Sequence, residues 1–166
     1  MPSVSMPAAS VSSVSVSSVS VSSVSVSSVS VSSVVGLLAR THHGRVATSV
    51  RALPLLAFAR HIVADGRILL RMPRSVGHHR ACAGSVVAYG SDNLSSARPG
   101  ENLWAAQVVG ECVRYEPSAA EVERFGPAPG LVDGEPYEPV YLSVRPQFGT
   151  VHSTDDGPES RFEDIA

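Results

Sequence analysis

The chain contains no lysine; all thirteen basic residues are arginine. A lysine Schiff base is therefore excluded, and any phosphate must be gripped by Arg or His. Cysteine is scarce: Cys82 and Cys112 are the only two. That excludes a disulfide scaffold and a cysteine-built zinc site. Aromatic residues make up 5% of the chain, with a single tryptophan. No run of eighteen apolar residues occurs, so no transmembrane helix is expected. A large excess of either charge is absent too. Thirteen Arg against fifteen acidic residues leave a net charge of −2, with no basic surplus for nucleic acid or an anionic membrane. There is no G-x-S-x-G, no P-loop and no G-x-G-x-x-G. Glu121 and Glu123 read as a solvated helix face rather than an acid/base pair. No metal site is expected: His78 and His79 are adjacent, so they point apart, and no Asp or Glu stands near them.

What is abundant is serine and valine. Residues 11–35 hold nothing else, fourteen Ser and eleven Val, in a repeated VSSVS unit. Its valines recur at spacings of three and two in turn. The mean falls between the 2.0 of a strand and the 3.6 of a helix, so neither element gains an apolar face. Residues 1–35 thus read as a low-complexity, disordered tail, or as a start assigned within repetitive DNA. An O-modified stalk and an aggregation-prone β segment are the other readings.

The remainder is long enough for one domain, residues 36–153, followed by an acidic tail at 154–166. Val34–Arg40 reads as the end of a helix closed by Gly44. RVATSV at 45–50 reads as a strand, Ala52-Leu53-Pro54 as a turn, and LLAFARHIV at 55–63 as the next strand. Asp65-Gly66 is a hairpin signal, returning through RILLRM at 67–72. Residues 77–83 form a helical turn ended by Gly84, and SVVAY at 85–89 a fourth strand. After a polar loop, residues 103–115 form a long strand with Gly110 as its bulge. Ser118 and Glu121 form a capping box for a helix over 119–125. A Pro/Gly loop at 126–139 leads to a sixth strand at 140–145, resumed at 149–152. Six strands with tight turns and two short helices predict a mainly β fold, an antiparallel barrel or sandwich, and not a doubly wound nucleotide fold.

The ordered phrases GRVATS at 44–49, the Pro-led strand at 54–63 and DGRILLRM at 65–72 carry a resemblance. So do VVAY at 86–89, WAAQVVGECV at 104–113 and EPVYLSVRPQFGTVHS at 138–153. Together they resemble the pyridoxamine 5′-phosphate oxidase-like proteins, the FMN-binding split β-barrel family. The resemblance implies a six-stranded antiparallel split barrel and a homodimer with FMN bound between subunits. It implies a flavin-dependent oxidoreductase acting on a small molecule. A non-catalytic module for flavin, deazaflavin or haem is the alternative on the same fold. The implied cofactor-binding residues begin with Phe58 and Arg60 on the second strand. Next come Arg71, Met72, Arg74, His78, His79 and Arg80 around the Pro73 turn, where an arginine fork suits a phosphate. Trp104 and Gln107 on the fifth strand complete the set. Family members commonly show Trp-Ser-Val there; this chain has Ala105 in place of the serine, which removes a hydroxyl from the flavin site. Tyr141 and Arg145 share one strand face near the implied cleft. His42-His43 reads as a surface pair, and His61 as a packed histidine. The thiols read as buried and inert, in keeping with a cytoplasmic, reducing setting.

Overall fold

A computed structural model describes residues 25–154. Most of the repeat and nearly all of the acidic tail lie outside the described residues, and with them the disorder expected there. Twelve elements follow in chain order: β1 Ser25–Ser28, α1 Val31–Leu38, β2 His43–Val50, β3 Leu53–Ala64, β4 Arg67–Pro73, α2 His78–Cys82, β5 Ser85–Asp92, β6 Trp104–Arg114, α3 Ala119–Phe125, β7 Leu131–Val132, β8 Glu135–Pro136 and β9 Pro139–Ser153. The large sheet runs β1-β9-β4-β3-β2-β5-β6, every pairing antiparallel. Pairing of β6 with β9 closes six of its strands into a barrel. Closure removes the exposed edges that a six-stranded sheet would otherwise present. This is the six-stranded antiparallel barrel the segment order implies.

Alternation sorts the strand residues. On β3, Ala57, Ala59 and His61 face the barrel interior, while Leu56, Phe58, Arg60, Ile62 and Ala64 face outward. Interior residues from all six strands form one core with Val34, Val35, Leu37 and Leu38 of α1. Helix α3 lays Phe125 on the outer face, over Ile62, Ala64 and Leu69. That is why β4 is buried on both faces and reads as a nearly unbroken apolar run.

Local chemistry explains the joints. The β3–β4 turn uses Asp65 and Gly66 at φ 50° and 69°, as their residue types favour. Ser118 accepts from the Glu121 amide and the Glu121 carboxylate accepts from the Ser118 amide, so the capping box forms. At Gly110 the β6–β9 register shifts, and Pro146 pairs there. The bulge lets one strand run through Pro146 without a break, where two segments were expected.

Four local expectations need correction. Helix α1 starts at Val31, inside the Ser/Val block, and β1 also lies in it; the boundary placed at 35 therefore cuts a helix. Ser30 caps the α1 N-terminus by accepting from the Ser33 amide. Gly44 does not cap its other end but lies within β2, paired with Ala59. Side chains reach the helix's final carbonyl instead: His61 Nε2–H and the Thr41 hydroxyl both donate to Leu38 O, at 2.8 and 3.1 Å. The β2–β3 turn is Arg51-Ala52, not residues 52–54, and both sit at positive φ, 49° and 64°. The loop at 126–139 contains a further hairpin, β7–β8, turned at Asp133-Gly134.

Candidate functional site

A row of outward-facing residues crosses four strands. His43 of β2 pairs with Arg60 of β3, Arg60 with Arg71 of β4, and Arg71 with Tyr141 of β9. Residues directly opposed in a sheet lie on the same face at close range. Two guanidinium groups and an imidazole are thereby set side by side. Like charges directly opposite destabilise a sheet, so the neighbours of this row matter.

Those neighbours are backbone carbonyls at the end of α3. Arg60 Nε–H donates to Phe125 O at 2.5 Å. Arg71 donates to Gly126 O at 2.7 Å and to Pro127 O at 3.2 Å. Arg71 also lies over the Phe125 ring, 5.4 Å from its centroid, and is only 4% exposed. Its Nε is buried with no hydrogen-bond partner. Among the described residues, the ion pairs are Arg45–Asp92, Arg67–Asp65 and Arg74–Glu138. Neither Arg60 nor Arg71 is in one, so their charges meet neutral acceptors only.

Beside this row opens a cavity of about 490 Å³. Its walls come from β2 and β3 (His43, Leu56, Ala57, Phe58, Ala59, Arg60), from β4 and the following turn (Arg71, Met72, Pro73, Val76, His78), and from the strap after α3 (Pro129, Val132, Tyr137). No Asp or Glu lines it. The cavity is apolar with two fixed cations at one side, a build that accepts a flat ligand carrying an anionic group. Burial, and next the Arg60 charge, lower the His43 pKa below its usual 6.5, which favours a neutral imidazole there. Burial raises the Tyr137 pKa, against a smaller opposing effect of Arg71.

The cavity gathers five of the residues singled out from sequence: Phe58, Arg60, Arg71, Met72 and His78. Five others stand elsewhere. Arg74 pairs with Glu138 at 3.1 Å and, with Arg114, lines a separate cleft. His79 is 1% exposed with an unpartnered Nδ1, and burial, then Arg114, lower its pKa. Arg80 is exposed on α2. Trp104 packs against the main core from the start of β6, and Gln107 is exposed opposite Gly90 and Thr150. The strand-then-turn grouping of basic residues is thus divided by the Pro73 turn.

Sequence reading missed His43, Tyr137 and the strap. His43 is exposed, as expected of a surface pair with His42, and its register partner, Arg60, also sets it on the cavity wall. The signal for the strap's hairpin was present: Asp133-Gly134 repeats the Asp-Gly pair already read at the β3–β4 turn.

His61 has a different place. It is fully buried between Tyr89 and Leu38. The Leu38 carbonyl can only accept, so Nε2 carries the proton. Nδ1 then accepts from the Tyr89 hydroxyl at 2.7 Å. Burial lowers the His61 pKa to about 4 and raises that of Tyr89. This polar chain ties α1 to the barrel interior and does not line the cavity.

No protein-family model matches the chain. It is 38% identical over 79 residues to the uncharacterized protein Rv0080 of Mycobacterium tuberculosis; the match covers 45% of this chain and 51% of that one, so the chain spans about half the length of this relative. Solved structures are similar in fold. The FAD binding protein of Mycobacterium smegmatis superposes with a TM-score of 0.59 at 19% identity, covering 78% of this chain and 98% of that chain. A putative pyridoxamine 5′-phosphate oxidase of Corynebacterium glutamicum gives 0.56 at 15% identity, over 77% and 92%. The FAD and heme binding protein of Mycobacterium smegmatis gives 0.58 at 16% identity, over 84% and 78%. This chain has the split β-barrel fold of the FAD-binding and pyridoxamine 5′-phosphate oxidase-like proteins.

Proposed function

We propose that the chain binds FMN in the β3–β4 cavity and acts on a small-molecule substrate as a flavin-dependent oxidoreductase. The observation that carries this reading is the opposed pair Arg60–Arg71, two cations without a carboxylate at the rim of an apolar cavity. The unpartnered Nε of Arg71 is a donor still to be satisfied, which fits an anionic group. Arg60 and Arg71 would hold the phosphate. Phe58, Met72 and Val76 would flank the ring system, with Tyr137 and His78 at its polar edges. Bound flavin supplies the redox chemistry, taking up and passing on electrons through its ring. The protein's part is to bind, orient and exclude water.

A homodimer belongs to this reading. Leu56 and Phe58, both on the outward face of β3, are 61% and 73% exposed in the stretch that α3 leaves uncovered. Apolar side chains exposed side by side suit a protein interface. A second copy seated there would close the open side of the cavity. The buried thiols of Cys82 and Cys112 suit the reducing cytoplasm.

A non-catalytic module is the second reading. Two histidines, His43 and His78, on one cavity wall favour haem as its ligand. An absorbance spectrum of the purified chain, followed by FMN titration, separates the readings. Flavin bands, or micromolar binding with a dimer in light scattering, support the first. A haem Soret band supports the second. A colourless chain that does not bind FMN removes the oxidoreductase reading.

A further inference from the structure

His43 supplies the imidazole of the cross-strand row. It faces Arg60 across the β2–β3 ladder and shares the cavity wall with Arg60, Arg71 and His78. Its backbone is held, because the Ser91 hydroxyl donates to the His43 carbonyl at 2.7 Å. The charged and titratable groups around it are identifiable on every packed element. His42 is its exposed chain neighbour. Arg45 is engaged by Asp92 at 3.2 Å and lies over Phe58. Arg60 and Arg71 come from β3 and β4, His78 from α2 and Tyr137 from the strap. All the nearby charges that reach the cavity are therefore positive, and no carboxylate lines it.

We infer that His43 takes up a proton when a phosphate dianion seats against Arg60 and Arg71, so that the cavity binds anion and proton together. The physical reason is a change in the sign of its surroundings. Without an anion, burial and the two guanidinium charges disfavour the imidazolium. A dianion set between those guanidinium groups outweighs them, and an opposite charge within a few ångströms favours the charged form. The imidazolium then donates a charge-assisted hydrogen bond to the phosphate. One proton moves from solvent to the ring; no bond to the ligand is made or broken. Affinity consequently rises as pH falls toward the titration range of the ring. The inference rests on the phosphate-binding reading of the cavity.

The test is calorimetric titration of the full chain with FMN near pH 6.5, in two buffers of different ionisation enthalpy. The buffer dependence of the heat counts protons. Wild type is expected to take up more protons per FMN than His43→Gln, by up to one. The phosphate's own proton, with an ordinary pKa of about 6, contributes to both proteins and cancels in the difference. His42→Gln, at the exposed neighbour that does not line the cavity, is expected to retain the uptake. The His43 ring resonance, titrated by NMR, is expected to shift its midpoint up by about one unit or more when FMN is present. FMN binding with equal proton counts in wild type and His43→Gln, or an unmoved His43 midpoint, overturns the inference and leaves the flavin reading standing. Absence of any FMN binding overturns both, and is recognised by the missing heat.

Discussion

Arg60 on β3 stands directly opposite Arg71 on β4, and the two guanidinium groups are held by successive carbonyls of one short segment, Phe125 to Pro127. The pair does two things at once. It fastens the strap to the barrel, and it leaves two positive charges at the mouth of an apolar cavity. A fold built for stability alone would place a carboxylate there, since like charges opposite each other are unfavourable.

Arg60→Gln removes one charge and keeps an N–H donor on a shorter side chain. FMN affinity is expected to fall about tenfold or more, in line with the roughly 1.5–3 kcal/mol of a hydrogen bond to a charged group. Salt should weaken wild-type binding more than it weakens the variant. Titration by flavin fluorescence at two ionic strengths checks both; unchanged affinity would remove Arg60 from the site.

Acid should loosen α1. His61 is neutral in the fold and resists protonation, its pKa lying near 4 against the usual 6.5. The unfolded chain binds the proton first, so stability is full above about pH 6.5 and declines as pH falls toward 4. The span of the shift corresponds to roughly 3 kcal/mol. Urea unfolding measured across this range in wild type and His61→Gln should show a slope in the first that is reduced in the second. Equal slopes would assign the acid sensitivity to other groups.

The β2–β3 turn carries strain that residue choice can relieve. Arg51 and Ala52 both occupy positive φ, which costs roughly 1–2 kcal/mol for a residue with a Cβ. Replacing them by Asn and Gly supplies the pair this turn geometry favours. The double variant is expected to gain about 1 kcal/mol, seen as a higher urea midpoint with an unchanged slope. A lower midpoint would contradict the turn assignment.

Gly149 makes room for α1. A Cβ added there would lie 2.7 Å from Cγ2 of Val34, too close for either atom. Gly149→Ala is expected to destabilise by about 1–3 kcal/mol, as overpacking does. Adding Val34→Ala should recover part of that loss, so the double variant costs less than the sum of the singles. Strict additivity in thermal unfolding would show that the two residues do not meet.

Much of the barrel could be read from residues alone because its signals are local. The Asp65-Gly66 turn, the Ser118–Glu121 cap and the period-two alternation of β3 each act within a few residues. Arg60, Arg71, Phe58, Met72 and His78 were named only through the family resemblance; the fold brings these five around one cavity. Tertiary structure alone decided the rest. Register placed the exposed His43 beside Arg60 and so made it part of the cavity wall. The Pro73 turn sent Arg74 toward Glu138, away from Arg71, although they are three residues apart. The final turns of the Ser/Val block became helix because Val34 and Val35 found the barrel core, where burial outweighs weak helix propensity. Local sequence sets which way each strand alternates; which strand lies next to which, and therefore which charges meet, is set only when the barrel closes.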